Sequence, residues 1–139
     1  MTSINHSITQ LPGLTQPQIA QLNAAGILTT FDLLRQGNSI AGRQALSQRL
    51  STHIKYINKW AALANLARIP GVGTQHCGLL LHAGVSTPQQ LSTMTAQRLH
   101  PQLLRLQVQL FGRADLAPSV AEVAVWIQQA RQMSQQMSR

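Results

Sequence analysis

Acidic side chains are nearly missing from this sequence. Asp32, Asp115 and Glu122 are the only three in 139 residues. Paired carboxylates for acid–base work therefore have little chance to form, and no serine–histidine–acid set, nucleotide-hydrolase phosphate loop or dinucleotide fingerprint occurs. No catalytic residues and no cofactors are expected, and the chain is read as a non-enzyme. Cysteine occurs once, at Cys77, which excludes an internal disulfide and any multi-cysteine zinc site. Two tryptophans, one tyrosine and two phenylalanines are the whole aromatic inventory, too few for single-strand recognition by base stacking. No apolar run reaches the roughly 18 residues of a membrane-spanning helix, so no membrane insertion is expected. Residues 1–10 lack a charged flank followed by an apolar stretch. They read as a flexible N-terminus rather than a secretory signal, and a cytoplasmic location is expected.

Positive charge is abundant by contrast. Eleven lysines and arginines leave a formal net charge of +8 and a pI near 11.7. Such an excess favours a polyanionic partner, nucleic acid being the commonest. The cations are scattered, which excludes a basic tail. The 44% apolar content argues for a folded chain.

The sequence also repeats itself. Leu11-Pro12-Gly13-Leu14 matches Ile69-Pro70-Gly71-Val72 at a shift of 58 positions (69 less 11). At the same shift Ile19 falls on Cys77, Leu22 on Leu80, Ala25-Gly26-Ile27 on Ala83-Gly84-Val85, Thr29 on Thr87 and Leu33 on Leu91. Ile54, Ile57, Trp60 and Ala64 fall on Val120, Val123, Trp126 and Ala130 at a shift of 66 (120 less 54), so eight extra residues lie inside the second copy. Two halves are expected, at residues 11–67 and 68–133, with a frayed tail at 134–139. Halves this small are marginal alone and are expected to share a core.

Periodicity points to helices throughout, and no segment alternates long enough to be a strand. Thr15 or Gln16, Thr29, Ser39, Ser51, Thr87 and Ser119 stand where helix caps belong, and Gly26 and Gly37 where helices stop. Asp32 lies three residues after Thr29, as in a capping box. His100-Pro101 reads as a break followed by a new helix. Ile54, Ile57, Trp60, Ala61 and Ala64 form one stripe, with Lys55 and Lys59 on the opposite face. The fold class is all-α, two tandem repeats packed into one compact helical unit.

Residues 66–80 read LARIPGVGTQHCGLL. Gly71 and Gly73 permit unusual backbone angles and close approach of a ligand, and the loop leads into a helix N-terminus whose amides suit a phosphate. Val72 between them would plug the hairpin into the core. The segment resembles a helix-hairpin-helix motif, whose loop implies contact with a sugar-phosphate backbone without base reading. The alternative is a plain tight turn between helices. The first copy departs from the pattern, because Thr15 replaces the second glycine and Pro17 removes a donor.

The resemblance widens with Ala25-Gly26-Ile27, Leu33-Leu34, Gly42-Arg43, Trp60, Leu66, Arg68, Ala83-Gly84-Val85-Ser86-Thr87, Pro118-Ser119, Val123, Trp126-Ile127 and Ala130-Arg131. Together they resemble the tandem helix-hairpin-helix family of unknown function called DUF4332, from about Leu11 to Met133. Asn65 stands where that family usually carries an acidic residue. The glutamine-rich, lysine-poor composition looks cyanobacterial. The family implies a fold and no mechanism.

The expected function is non-sequence-specific binding of a DNA or RNA backbone through the second hairpin. Gly71, Val72, Gly73 and Thr74 would supply amides, Arg68 a charge, and Lys55 and Lys59 further backbone contacts. The rival is a basic adaptor that docks on an acidic protein complex, such as a photosynthetic or carbon-fixing assembly. Trp60, Trp126 and Cys77 are read as structural core. His76, Cys77 and His82 do not share one helical face, so no metal site is expected. Met133 and Met137 extend the apolar side of the last helix, either as fraying chain or as a docking surface.

Overall fold

The computed structural model describes residues 3–137. Eight α-helices follow one another in it: α1 (Gln16–Ala24), α2 (Thr30–Gly37), α3 (Ile40–Leu50), α4 (Ile54–Ala67), α5 (Gly73–His82), α6 (Pro88–Ser92), α7 (Ala96–Phe111) and α8 (Val120–Met137). Single 3₁₀ turns stand at Ile8–Gln10 and Ala114–Leu116. No strand forms among the described residues, so the protein is all-α, as its periodicity predicts. None of these helices is long and apolar enough to cross a membrane.

Most caps lie where the sequence places them. Thr15 and Gln18 exchange hydrogen bonds in a capping box at the start of α1. At α2 the Thr29 hydroxyl accepts from the Asp32 amide and the Asp32 carboxylate accepts from the Thr29 amide, both at 3.1 Å. Ser119 and Glu122 make the same exchange at the start of α8. Two glycines that the 58-residue shift aligns end their helices identically. Gly26 and Gly84 have φ of +83° and +87°. Ile27 donates back to Leu22, and Val85 to Leu80, the backbone closure that a left-handed glycine permits.

Three boundaries differ from the sequence reading. Ser51 does not start α4. It ends α3 in the left-handed region with φ +50°, and His53 caps α4 through Nδ1, which accepts from the Lys55 amide. Pro101 does not break α7 but lies inside it. Gln97, whose carbonyl Pro101 leaves without its helical donor, is exposed, so water can take that role. Helix α8 runs on through Met137, past the expected end of the second half at residue 133, and residues 138–139 of the expected tail lie outside the described residues. The side chain of Met137 lies outside the described residues.

Residues 3–10 also correct the expectation of a flexible N-terminus. Ile4 donates to the Arg68 carbonyl (2.9 Å), Thr30 to that of His6 (2.8 Å) and Ile8 to that of Leu28 (2.9 Å). Asn5 accepts from the Phe31 amide at 3.0 Å. Ile8 is 1% exposed and belongs to the core. A single buried isoleucine with paired amides is enough to hold a short polar segment down.

The core is one contiguous cluster. It joins Leu22, Ile27, Leu33 and Trp60 to Leu80, Leu91, Leu103 and Trp126. Helix α4 is its central member, packed on α2, α3 and α5, while α8 covers α6 and α7.

Candidate nucleic-acid interface and a basic cleft

The second hairpin is tighter than its glycines suggest. Val72 is 1% exposed and plugs the turn into the core. The amides of Val72 and Gly73 both donate to the Ile69 carbonyl at 3.0 Å. Gly71 donates to Gln129 Oε1 at 2.7 Å. Three of the four amides expected to meet a phosphate are therefore spent within the protein. Gly73 has φ +55°, and space is open around it. Gly71 lacks a positive φ. A Cβ there would come within 2.7 Å of Trp126 Cδ1 and 2.8 Å of Gln129 Oε1. Helix α8 leaves no room for a side chain at this position.

Donors remain one step further on. Val72 caps α5 without any side-chain hydrogen bond. After Gly73, the next amide of α5 to find an acceptor is that of His76, on Val72. The Thr74 and Gln75 amides find none among the described residues and point out of the helix N-terminus.

The expected cations do not gather at this loop. Lys59 Nζ lies 3.5 Å from the Cβ position of Gly13, in the first hairpin. Lys55 Nζ sits 5.1 Å over the ring of Tyr56. Arg68 donates from Nε to Asn65 at 2.6 Å and from Nη1 to Ser3 at 3.3 Å. That turns its guanidinium into a cleft that Gly71, Val72, Gly73 and Thr74 do not line.

This cleft escaped the sequence reading. It is an open cavity of about 900 Å³ between α2, α4 and the chain entering α6. Arg35, Arg43 and Arg68 stand on its walls, with Asn38, Asn58 and Asn65, and no carboxylate lines it. Arg43 donates from Nε to Asn58 at 2.9 Å and from Nη1 to the Gly37 carbonyl at 3.1 Å. Burial pushes the Arg68 guanidinium below its usual range, though far too little to discharge an arginine near neutrality. These arginines belong to three different parts of the fold, α2, α3 and the end of α4, and only the i, i+7 spacing of Asn58 and Asn65 on α4 hinted at a shared face.

All three carboxylates are engaged locally. Hydrogen bonds from the Leu28 amide first, then from the Thr29 amide and hydroxyl, with Arg35 nearby, hold the Asp32 carboxyl below its usual range against desolvation. Asp115 pairs with Arg113 at 2.8 Å, and Asp32 with Arg35 at 3.1 Å. These are the two ion pairs among the described residues.

The residues assigned to the core are buried. Trp60 and Trp126 are each 2% exposed, and Cys77 is inaccessible. His76 rests on the Trp126 ring at 4.8 Å. Burial pushes the Cys77 thiol up to about 11, so it stays protonated and unreactive. In the folded protein Cys77 should react with an aromatic disulfide reagent at least about a hundredfold slower than in urea, where its reactivity becomes that of a free thiol. Equal rates would show an accessible thiolate. Among the described residues no group of three metal-ligating side chains comes together.

Comparison with known proteins gives one match. The family model described as "Domain of unknown function (DUF4332)" matches residues 12–133. No curated protein and no solved structure matches the chain.

Proposed function

The chain belongs to the DUF4332 family, a family defined without a function, and from that premise we propose that it is a non-enzymatic module that binds nucleic-acid backbones without reading bases. The observation that carries this reading is the charge balance. Eleven cations face three carboxylates, and each carboxylate is already held by a cap or an arginine. The surplus is left to attract a polyanion. At the second hairpin the Thr74 and Gln75 amides would receive one phosphate at the start of α5, where the helix dipole favours an anion. Backbone contacts of this kind position a partner and carry no sequence information.

The test is a fluorescence-anisotropy titration of a generic DNA duplex and an RNA of similar length over a salt series. With about four phosphates neutralised, log affinity should fall against log salt with a slope of roughly −3 to −4. Thr74→Glu places a carboxylate at the helix start, where it favours the fold and opposes a phosphate. It should weaken binding and reduce the slope by about one. A slope near zero on both polymers overturns the reading.

One observation favours the rival. Val108, Leu110 and Phe111 at the end of α7, with Leu116 and Val120 beyond, are exposed. Such side chains suit a protein partner, and an acidic one would complement the net charge. Absence of nucleic-acid binding at low salt, with stoichiometric co-purification of an acidic protein after nuclease treatment, would support that alternative.

A further inference from the structure

The junction of α7 and α8 carries a separate inference. On α7, Leu99 and Leu103 are inaccessible, and Leu110, which continues their stripe about three turns past Leu99, is 45% exposed. On α8, Val123 and Ile127 are buried, and Val120, on the same stripe just before Val123, is equally exposed. Both helices therefore overrun the core at the end where they are joined. Phe111, 63% exposed, and Val108 extend the apolar surface around the last turn of α7. Leu116 adds to it from the 3₁₀ turn at Ala114–Leu116, which packs on α7. Single exposed apolar side chains are ordinary, but five at one junction are not.

The first half has no such overhang. Helix α3, the counterpart of α7, has 11 residues against 16. Leu50, its last residue, is buried, and Ile54, the counterpart of Val120, packs on the core. The eight extra residues of the second copy thus leave apolar side chains that its own core does not cover. The charges beside them indicate what does. Between residues 105 and 125, Arg105 and Arg113 are balanced by Asp115 and Glu122, whereas the rest of the chain has nine cations and one carboxylate. An acidic partner complements a cationic surface, and this junction is not one. Arg113 and Asp115 carry both signs on exposed side chains. Such a patch complements itself, because under a two-fold axis each arginine can meet the carboxylate of the other copy.

We propose that the chain pairs with a second copy of itself through this junction, as an isologous dimer. Leu110, Phe111, Leu116 and Val120 of the two copies form its apolar centre, and Arg113 and Asp115 its rim. Elsewhere the copies repel, since each carries a net charge of +8. Salt screens that repulsion and does not weaken apolar contact. Dimerisation should therefore tighten as salt is added, the opposite of nucleic-acid binding and of docking on an acidic protein. Thr74 and Gln75 take no part, so the dimer and the polymer contact at α5 can each fail without the other.

The full chain, treated with nuclease so that no polymer bridges two copies, is followed by sedimentation from about 10 μM to about 1 mM protein. The series is run at roughly 50 mM and roughly 300 mM salt. The mass should rise from 15.2 kDa towards twice that value, with a dissociation constant at least about threefold lower at the higher salt. The double variant Leu110→Ser/Phe111→Ser removes four side chains from a two-fold contact. It should weaken dimerisation at least about tenfold, and its circular dichroism should remain that of the unmodified protein. Leu116→Ser, outside the α-helices, serves if the double variant fails to fold, and should also weaken the dimer. Asp115→Arg makes the rim cationic and should weaken the dimer most at the lower salt. A constant monomer mass overturns the proposal and leaves the junction to a different protein. Self-association unchanged in the folded double variant, or weakened by salt, overturns it equally.

Discussion

Replacing Trp60 by alanine is expected to remove about 3–5 kcal/mol of stability, the usual cost of deleting a buried aromatic side chain. A domain of this size holds on the order of 5–15 kcal/mol in total, so the variant should lose from about a fifth to all of its margin. The side chain is 2% exposed on α4, the helix that contacts α2, α3 and α5. A cavity there opens within a helix that is held from three sides. Urea unfolding should show a lower midpoint with an unchanged slope, the sign of lost stability without a changed unfolded state. Trp126 remains as the fluorescent reporter, since the chain has only two tryptophans. A loss below about 1 kcal/mol would mean that the site collapses around the smaller residue, which a centrally packed helix should not permit.

What could be read from the sequence was local, and what could not was distant. Thr15, Thr29, Thr87 and Ser119 act on amides three residues away, so their capping follows from spacing alone. Gly26 and Gly84 act over five residues. Failures began where a residue's partner lies elsewhere in the chain. Gly71 meets Gln129, 58 positions on, and that one contact takes away an amide that the hairpin pattern offers to a ligand. Lys59 reaches the first hairpin rather than the second. Asn5 and His6 look like idle polar residues until they are placed beside Thr30. The basic cleft is the extreme case, because Arg35, Arg43 and Arg68 sit on separate elements, and only folding shows that neutral amides orient two of them. Charge totals gave the sign of the net charge but not where the cations gather.

The two hairpin glycines supply the sharpest test of this distinction, because identical residues two positions apart are required for different reasons. Gly73→Ala should cost roughly 1–2 kcal/mol from backbone strain alone, since its φ is +55° and nothing lies within 4 Å of the new methyl. Gly71→Ala should cost about 1–3 kcal/mol by overpacking, because the methyl would meet the edge of a buried indole at 2.7 Å. The Gln129 amide can swing aside; the Trp126 ring, 2% exposed, cannot. A double-mutant cycle separates the two causes. In a Trp126→Leu background the obstructing ring edge is gone, so the Gly71→Ala cost should fall by at least about 0.5–1 kcal/mol, the size of coupling seen between touching residues. The Gly73→Ala cost should stay within about 0.5 kcal/mol of its original value, as for residues without a shared contact. Equal coupling at both positions would mean that the loop moves as one unit, and that Gly71 is glycine for its backbone after all. Coupling at Gly71 alone would establish that α8 shapes the hairpin from outside. Any phosphate held there would then be left with the Thr74 and Gln75 amides rather than with the glycines themselves.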